Sequence, residues 1–213
     1  MRLQLALDML SSEIALAISQ AVEPYVDIIE IGTPLLKHEG IGVLRLLRKN
    51  FPDKTLLVDL KTMDVGQYEA DFAFDAGADI VTVLGVADDA TIAGAVASAE
   101  AHGKSVVVDI INVTNKPERA RQIQDLGAHY IGIHSGIDQQ MRGHSPLIDL
   151  RAVMNSVNIG VLVAGGIRLE TLGEVLAMKP NIVVVGGAIT SAANPAFIAR
   201  TMKEHINQSR KQA

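Results

Sequence analysis

The chain contains no cysteine and no tryptophan. It therefore has no disulfide framework, no thiolate nucleophile, and no zinc or iron–sulfur centre ligated by cysteine. Aromatic residues are scarce, three Tyr and four Phe. That is too few to line a strip of stacking platforms for single-stranded nucleic acid. Basic residues are outnumbered, 19 Lys and Arg against 24 Asp and Glu, for a net charge of −5, and they are scattered. Contact with a nucleic-acid backbone needs a basic face, which is missing here. No apolar stretch approaches the roughly 18 residues that span a bilayer. The short apolar start ends at Asp8, before it reaches the length of a secretory signal. The expectation is a soluble, cytoplasmic protein that binds neither nucleic acid nor membrane.

What is present is aliphatic: 48% hydrophobic residues in 213, with 18 Gly. Short β-branched runs recur at Leu3–Leu7, Val26–Ile31, Thr55–Leu60, Ile80–Leu84, Val106–Ile111, Tyr130–Ile133, Gly160–Val163 and Ile182–Val185. Each is apolar at successive positions, as strands buried on both faces are. Helical patterns lie between them. Ser11 is placed to cap a helix bearing Ile14, Ala15, Ile18, Ala21 and Val22 on one face. Asp89 is placed to cap another with Ile92, Ala95, Val96 and Ala99. Segments after Gly40, Asp64, Asn115, Ser145, Leu169 and Asn194 also read as helices, giving eight strands alternating with eight helices. Such alternation predicts a parallel sheet.

A period sharpens the choice. Asp27, Asp79, His129 and Asn181 each stand just before an apolar run, at spacings of 52, 50 and 52 residues. A repeat of two βα units along the whole chain predicts a (β/α)8 TIM barrel over residues 1–213, in one domain. An open doubly wound sheet is the alternative. The polar tail, residues 205–213, is expected to fray.

In such barrels chemistry gathers at the C-terminal ends of the strands. Those ends carry Asp8, Glu30, Asp59 with Lys61, Thr82, Asp109 and His134, with Asp64 in the loop beyond Lys61. A buried carboxylate is costly unless it is paired, hydrogen-bonded or bound to a metal. Glu30 lies between two Ile, where a solvated role is poorly served. Asp59 and Lys61, two apart, face the same way on an extended strand. Lys61 among carboxylates stays protonated, which suits an electrostatic stabiliser better than a Schiff-base amine. Glu30 and Asp59, from neighbouring strands, are candidate ligands for a hard cation such as Mg²⁺, which takes one or two carboxylates plus water and substrate oxygens.

The last two strands end in Ala164-Gly165-Gly166 and Val185-Gly186-Gly187. In many barrels phosphate binds on backbone N–H groups at these two loops. Gly165, Gly166, Gly186 and Gly187 therefore predict a phosphate seat and a sugar-phosphate substrate. Of the six His, His134 is the proton-transfer candidate. His38, His102, His129 and His205 are given no role, and His144 is a candidate member of a lid in the polar loop 138–145.

Asp8, Glu30 in Asp-Ile-Ile-Glu-Ile-Gly, Asp59-x-Lys61-x-x-Asp64, His134 and the two Gly-Gly ends together resemble the orotidine-monophosphate-decarboxylase suprafamily over almost the full length. Asp-Leu-Lys-Thr-Met-Asp and the stretches 78–85, 87–96 and 163–166 are closest to the branch whose members join formaldehyde to D-ribulose 5-phosphate, giving D-arabino-3-hexulose 6-phosphate. The neighbouring 3-keto-L-gulonate-6-phosphate decarboxylase group typically has Arg where Ile137 and Gly187 stand here. The resemblance implies a Mg²⁺-dependent aldehyde-lyase acting through a metal-stabilised enediolate. Glu30 and Asp59 would hold the metal. Lys61 would stabilise the oxyanion and His134 would move the proton. Asp8 and Asp109 would hold sugar hydroxyls or orient Lys61. It further implies a homodimer in which Asp64 reaches the partner's site. The other readings are the decarboxylase, or a related isomerase or epimerase, and a barrel that binds a sugar phosphate without catalysis.

Overall fold

The structure is a computed structural model that describes residues 1–8 and 11–211. Its elements run β1 (Arg2–Leu7), α1 (Ser12–Val22), β2 (Ile28–Ile31), α2 (Thr33–Glu39), α3 (Gly42–Asn50), β3 (Thr55–Thr62), α4 (Gly66–Asp75), β4 (Ile80–Leu84) and α5 (Asp89–His102). Then come β5 (Ser105–Asp109), α6 (Lys116–Asp125), β6 (Tyr130–His134), α7 (Ile137–Gln140), α8 (Leu147–Met154), β7 (Gly160–Ala164), α9 (Leu169–Ala177), β8 (Ile182–Val185), α10 (Gly187–Thr190) and α11 (Pro195–Lys211). The strands pair in chain order, all parallel, and β8 closes on β1. This is the expected (β/α)8 barrel, and the open sheet is excluded.

Side-chain alternation divides the core in two. On β1, Leu3, Leu5 and Leu7 face outward and pack with the helices, as Ile29, Ile31, Leu56 and Val58 do on the next strands. The opposite parity fills the lumen with Ala6, Ile28, Leu57, Ile80, Val107, Leu162, Ile182 and Val184. Each fully buried aliphatic side chain contributes about 1.5–3 kcal/mol. Continuing the lumen parity toward the strand ends brings Asp8, Glu30, Asp59, Thr82, Asp109 and His134 inward above this plug.

The period of 50–52 residues has a physical basis at the opposite, N-terminal rim. Asp27 donates its N–H to the Leu3 carbonyl (2.8 Å), while its Oδ2 accepts the Leu3 N–H (2.7 Å). Asp79 does the same to Leu56 (2.9 Å both ways). His129 does so to Val106 through Nδ1 (3.2 Å both ways), and Asn181 to Val161 through Oδ1 (2.8 Å both ways). Each polar residue before an even strand thus clasps the first residues of the preceding odd strand. The recurring position demands an acceptor side chain, whatever its charge.

Several details depart from the sequence reading. Ser11 does cap α1, accepting from Ile14 N at 3.4 Å. The α1 face that packs inward is Ala15, Ser19 and Val22, however, and Ile14 points to solvent. The cap of α5 is Asp88, whose Oδ1 accepts from Ala90 N, and Asp89 is the first helical residue. The tail expected to fray continues α11 through Lys211, with Ile206 fully buried, and residues 212 and 213 lie outside the described residues. Beyond the eight expected helices stand α2, α7 and α10, of seven, four and four residues. These are too short to display a readable apolar period. No helix among the described residues is long and apolar enough to cross a membrane.

Candidate active site

The C-terminal mouth of the barrel opens into a cavity of about 880 Å³. It is lined from every strand end, with Asp8, Glu30, Asp59, Lys61, Asp109, His134, Gly165, Gly166, Gly186 and Gly187 all contributing. The sequence-predicted set is therefore brought together, with one exception. Asp64 does not line this cavity. It is exposed in the β3–α4 loop, where its Oδ1 accepts the N–H of Val65. His144 is exposed and does not line the cavity either; from that loop the lining comes from Ile137–Gln140 and Arg142.

The centre of the site is a bulge at the end of β3. Val58 pairs with Val81 and Thr62 with Val83, so Asp59, Leu60 and Lys61 together oppose Thr82 alone. Bulges next to active sites re-aim side chains. Lys61 takes a left-handed backbone, φ +48°, at a cost of about 1–2 kcal/mol for a residue with a Cβ. The extended strand assumed from the two-residue spacing is thus absent, yet Lys61 and Asp59 meet. Lys61 Nζ lies 2.6 Å from Asp59 Oδ2 and 3.2 Å from Asp109 Oδ2.

Thr82 pins the bulge. Its hydroxyl accepts the Lys61 N–H (2.9 Å) and donates to Asp59 Oδ1 (2.6 Å). Thr33, at the start of α2, donates to the carbonyl and to Oδ2 of Asp59. The carboxylate of Asp59 is held by three neighbours and cannot swing.

Asp109 forms the second arm. Its Oδ1 accepts the N–H of Ile111 (2.8 Å) and its Oδ2 lies 2.9 Å from His134 Nδ1. A carboxylate accepts only, so Nδ1 carries a proton, and in the neutral ring the lone pair is the one on Nε2. Burial pushes the Asp109 carboxyl up, but His134 and Lys61 outweigh it and hold the acid below its usual range. For Lys61 burial works downward, and Asp59 and Asp109 overcome it, so the ammonium is held above its ordinary pKa.

Asp8 and Glu30 lack such company. Burial, reinforced by Asp59, raises Asp8. Glu30 is 9% exposed and is raised to about 8 by burial first and Asp59 second. Among the described residues Glu30 has no ion-pair partner; its one hydrogen bond comes from Gln4 Nε2, at 2.7 Å on Oε2. Asp8 packs against the Gly32 backbone: a Cβ on Gly32 would stand 2.3 Å from Asp8 Oδ1 and 2.6 Å from the Leu7 carbonyl oxygen. That position is closed to any side chain.

The two Gly-Gly ends form the opposite wall. Gly165 has φ +110°, and a Cβ there would lie 2.3 Å from the Ser135 carbonyl oxygen, so only glycine fits. Among the described residues the N–H groups of Gly166, Gly187 and Ala188 meet no acceptor. Arg142 and Arg168 line the same side, and neither has an ion-pair partner among the described residues.

Sequence reasoning did not single out Gln4, Thr33, Arg142 or Arg168. A signal existed for Gln4: it is a polar residue at lumen parity between Leu3 and Leu5. Thr33 gave none, because Thr suits any buried strand or helix start.

A parallel barrel with an acid–lysine–acid bridge at its mouth holds a fixed ammonium where negative charge can develop. The sequence model of the "Orotidine 5'-phosphate decarboxylase / HUMPS family" matches residues 1–202, and the chain belongs to that family. Relatives narrow the neighbourhood. The chain is 47% identical over 206 residues to 3-hexulose-6-phosphate synthase of Mycobacterium gastri, covering 97% of this chain and 100% of that protein. A crystal structure of 3-hexulose-6-phosphate synthase from Salmonella typhimurium superimposes with TM-score 0.96 at 42% identity, over 98% of this chain and 100% of that one. The structure of 3-keto-L-gulonate-6-phosphate decarboxylase from Vibrio cholerae gives 0.83 at 29%, over 97% of both chains. The chain is accordingly an enzyme of the lyase class.

Proposed function

We propose that this enzyme joins formaldehyde to D-ribulose 5-phosphate to give D-arabino-3-hexulose 6-phosphate. The observation that carries the proposal is the bridge Asp59–Lys61–Asp109–His134, which puts a fixed ammonium and an imidazole base in one cavity. Identity of 42–47% with proteins named 3-hexulose-6-phosphate synthase, against 29% with the decarboxylase, supports the choice of reaction. So do Ile137 and Gly187, at the two places where the decarboxylase group typically has Arg.

In this reading the phosphate accepts from the N–H groups of Gly166, Gly187 and Ala188, with Arg142 and Arg168 beside it. The polyol then lies toward Asp8 and Asp109. His134 Nε2 removes the proton from C1. Lys61, kept charged, stabilises the oxyanion that develops as C1 becomes nucleophilic, a preorganised contribution that needs no reorganisation in the step. C1 attacks the carbon of formaldehyde, a carbon–carbon bond forms, and His134 returns its proton to the new alkoxide.

A divalent cation fits Glu30 and Asp59. Glu30 is a buried carboxylate with no ion-pair partner among the described residues, and its Oε1 has no hydrogen bond there. Among the described residues no three carboxylate or imidazole groups form a ready cage. This suits Mg²⁺, which completes its shell with water and substrate oxygens. Bound there, the cation would supply Lewis-acid polarisation of the substrate's carbonyl and hydroxyl oxygens.

We also propose a homodimer. Met63, Val65, Tyr68 and Phe72 follow or flank Asp64 and are all exposed, Tyr68 and Phe72 at helical spacing on α4. A second copy covering this face would bring Asp64 to its neighbour's mouth.

The deciding experiment assays ribulose 5-phosphate plus formaldehyde against 3-keto-L-gulonate 6-phosphate, each with and without EDTA. The expected result is a higher kcat/KM in the first assay and loss of activity with chelator. A higher value in the second reverses the choice of reaction. Full activity in EDTA removes the metal from the reading.

A further inference from the structure

The deepest polar side chain in the lumen takes no part in the reaction described above. Gln4 sits in the middle of β1, 1% exposed, in register with Ile28 of β2 and Val184 of β8, two aliphatic lumen residues. Its Nε2 donates to Glu30 Oε2 at 2.7 Å. Its Oε1 is buried and has no hydrogen-bond partner among the described residues.

An amide in an apolar lumen, with its oxygen unmet, is less stable there than an aliphatic side chain of the same size. The unmet oxygen follows from the orientation of the group. In the ionised form that a cation requires, the Glu30 carboxylate accepts only, so the amide turns its nitrogen to it and leaves its oxygen behind. The opposite orientation would set two acceptors against each other. Glu30, in turn, has no other hydrogen bond among the described residues, unlike Asp59 with its three. Gln4 is the group that fixes the torsion of the Glu30 carboxylate.

We infer that Gln4 is a positioning residue, which holds Glu30 Oε2 from below so that Oε1 faces the cavity beside Asp59. The inference rests on the reading of Glu30 as one half of a cation site. It assigns the lumen floor a function that neither volume nor polarity alone would meet.

The probe is Mn²⁺, titrated into the unliganded full-length protein by calorimetry or electron paramagnetic resonance. Gln4→Met keeps length and removes the donor. It is expected to melt in chelator at or above the wild-type temperature, yet to bind Mn²⁺ about 10–100-fold more weakly, as loss of a partner behind a metal ligand does. Gln4→Asn keeps an amide but loses the reach, and is expected to weaken Mn²⁺ similarly. A role confined to filling the lumen would lower melting and leave affinity alone. Unchanged affinity in either folded variant overturns the inference. Glu30→Gln run in parallel separates the two ideas: if it alone loses Mn²⁺, Glu30 stands as a ligand without help from Gln4. If it also keeps Mn²⁺, both readings fall.

Discussion

Thr82→Val isolates what one hydroxyl does for the bulge. Valine has the same shape, so packing on β4 is retained while both hydrogen bonds of Thr82 vanish. The bond to the Asp59 carboxylate is charge-assisted and contributes about 1.5–3 kcal/mol; the bond from the Lys61 N–H contributes about 1 kcal/mol. The same N–H sits on a residue already strained by about 1–2 kcal/mol at φ +48°. With its anchor gone, the bulge is free to relax toward regular pairing. The expected stability loss is about 3 kcal/mol, which for a chain of this size lowers Tm by roughly 6–12 °C. Activity should fall further than stability at assay temperature, because relaxation withdraws Lys61 from Asp109. Differential scanning calorimetry with steady-state kinetics checks both, and Thr82→Ser should stay near wild type. A Thr82→Val enzyme with wild-type Tm and kcat would show that the bulge is held by something other than Thr82.

Other outcomes follow from the same geometry. Asp109→Asn presents an amide whose NH2 end can face His134 Nδ1 and so admits the wrong tautomer; kcat is expected to drop by at least about 100-fold, as steady-state kinetics would reveal. Asp79 is held below its usual pKa: burial opposes this, but Lys104, the Leu56 N–H and Arg48 prevail. A lowered folded-state pKa gives stability above the unfolded value that is lost as pH falls. Urea titrations should therefore show wild type weakening below about pH 4 and Asp79→Ala weaker at pH 7 but losing less in acid; equal acid sensitivity in both would contradict this. Mixing Lys61→Ala with Asp64→Asn subunits should regain part of the activity, up to about a quarter in a statistical mixture of dimers. No recovery at all would argue that Asp64 does not act across an interface.

The strands and their ends were readable because burial on both faces leaves a simple pattern: aliphatic runs that stop at a polar residue. Glu30 stood out between two Ile because nothing in a lumen otherwise asks for a carboxylate. The bulge was not readable. Asp-x-Lys on an ideal strand and Asp59–Lys61 on a three-against-one bulge predict the same meeting, and only pairing with β4 distinguishes them. Gln4 left only a slight mark, one amide at lumen parity between Leu3 and Leu5. The short helices α2, α7 and α10 have no period to detect, and they are held by the strand ends they follow. Asp88 and Asp89 are equally good caps in isolation, and the φ, ψ of the loop decides between them.

The four rim clasps carry a consequence for how this barrel tolerates being cut. Each joins an odd strand to the next even one, so at this rim the clasps mark off four strand pairs, or modules, within a continuously paired wall: β1–β2, β3–β4, β5–β6 and β7–β8. New chain ends placed near Pro52, between modules, would leave every clasp bridging a continuous peptide. Ends placed between β1 and β2 would leave Asp27 and Leu3 to find each other across a break. Circular permutants of the first kind should refold faster than those of the second, although the two would have the same finished wall.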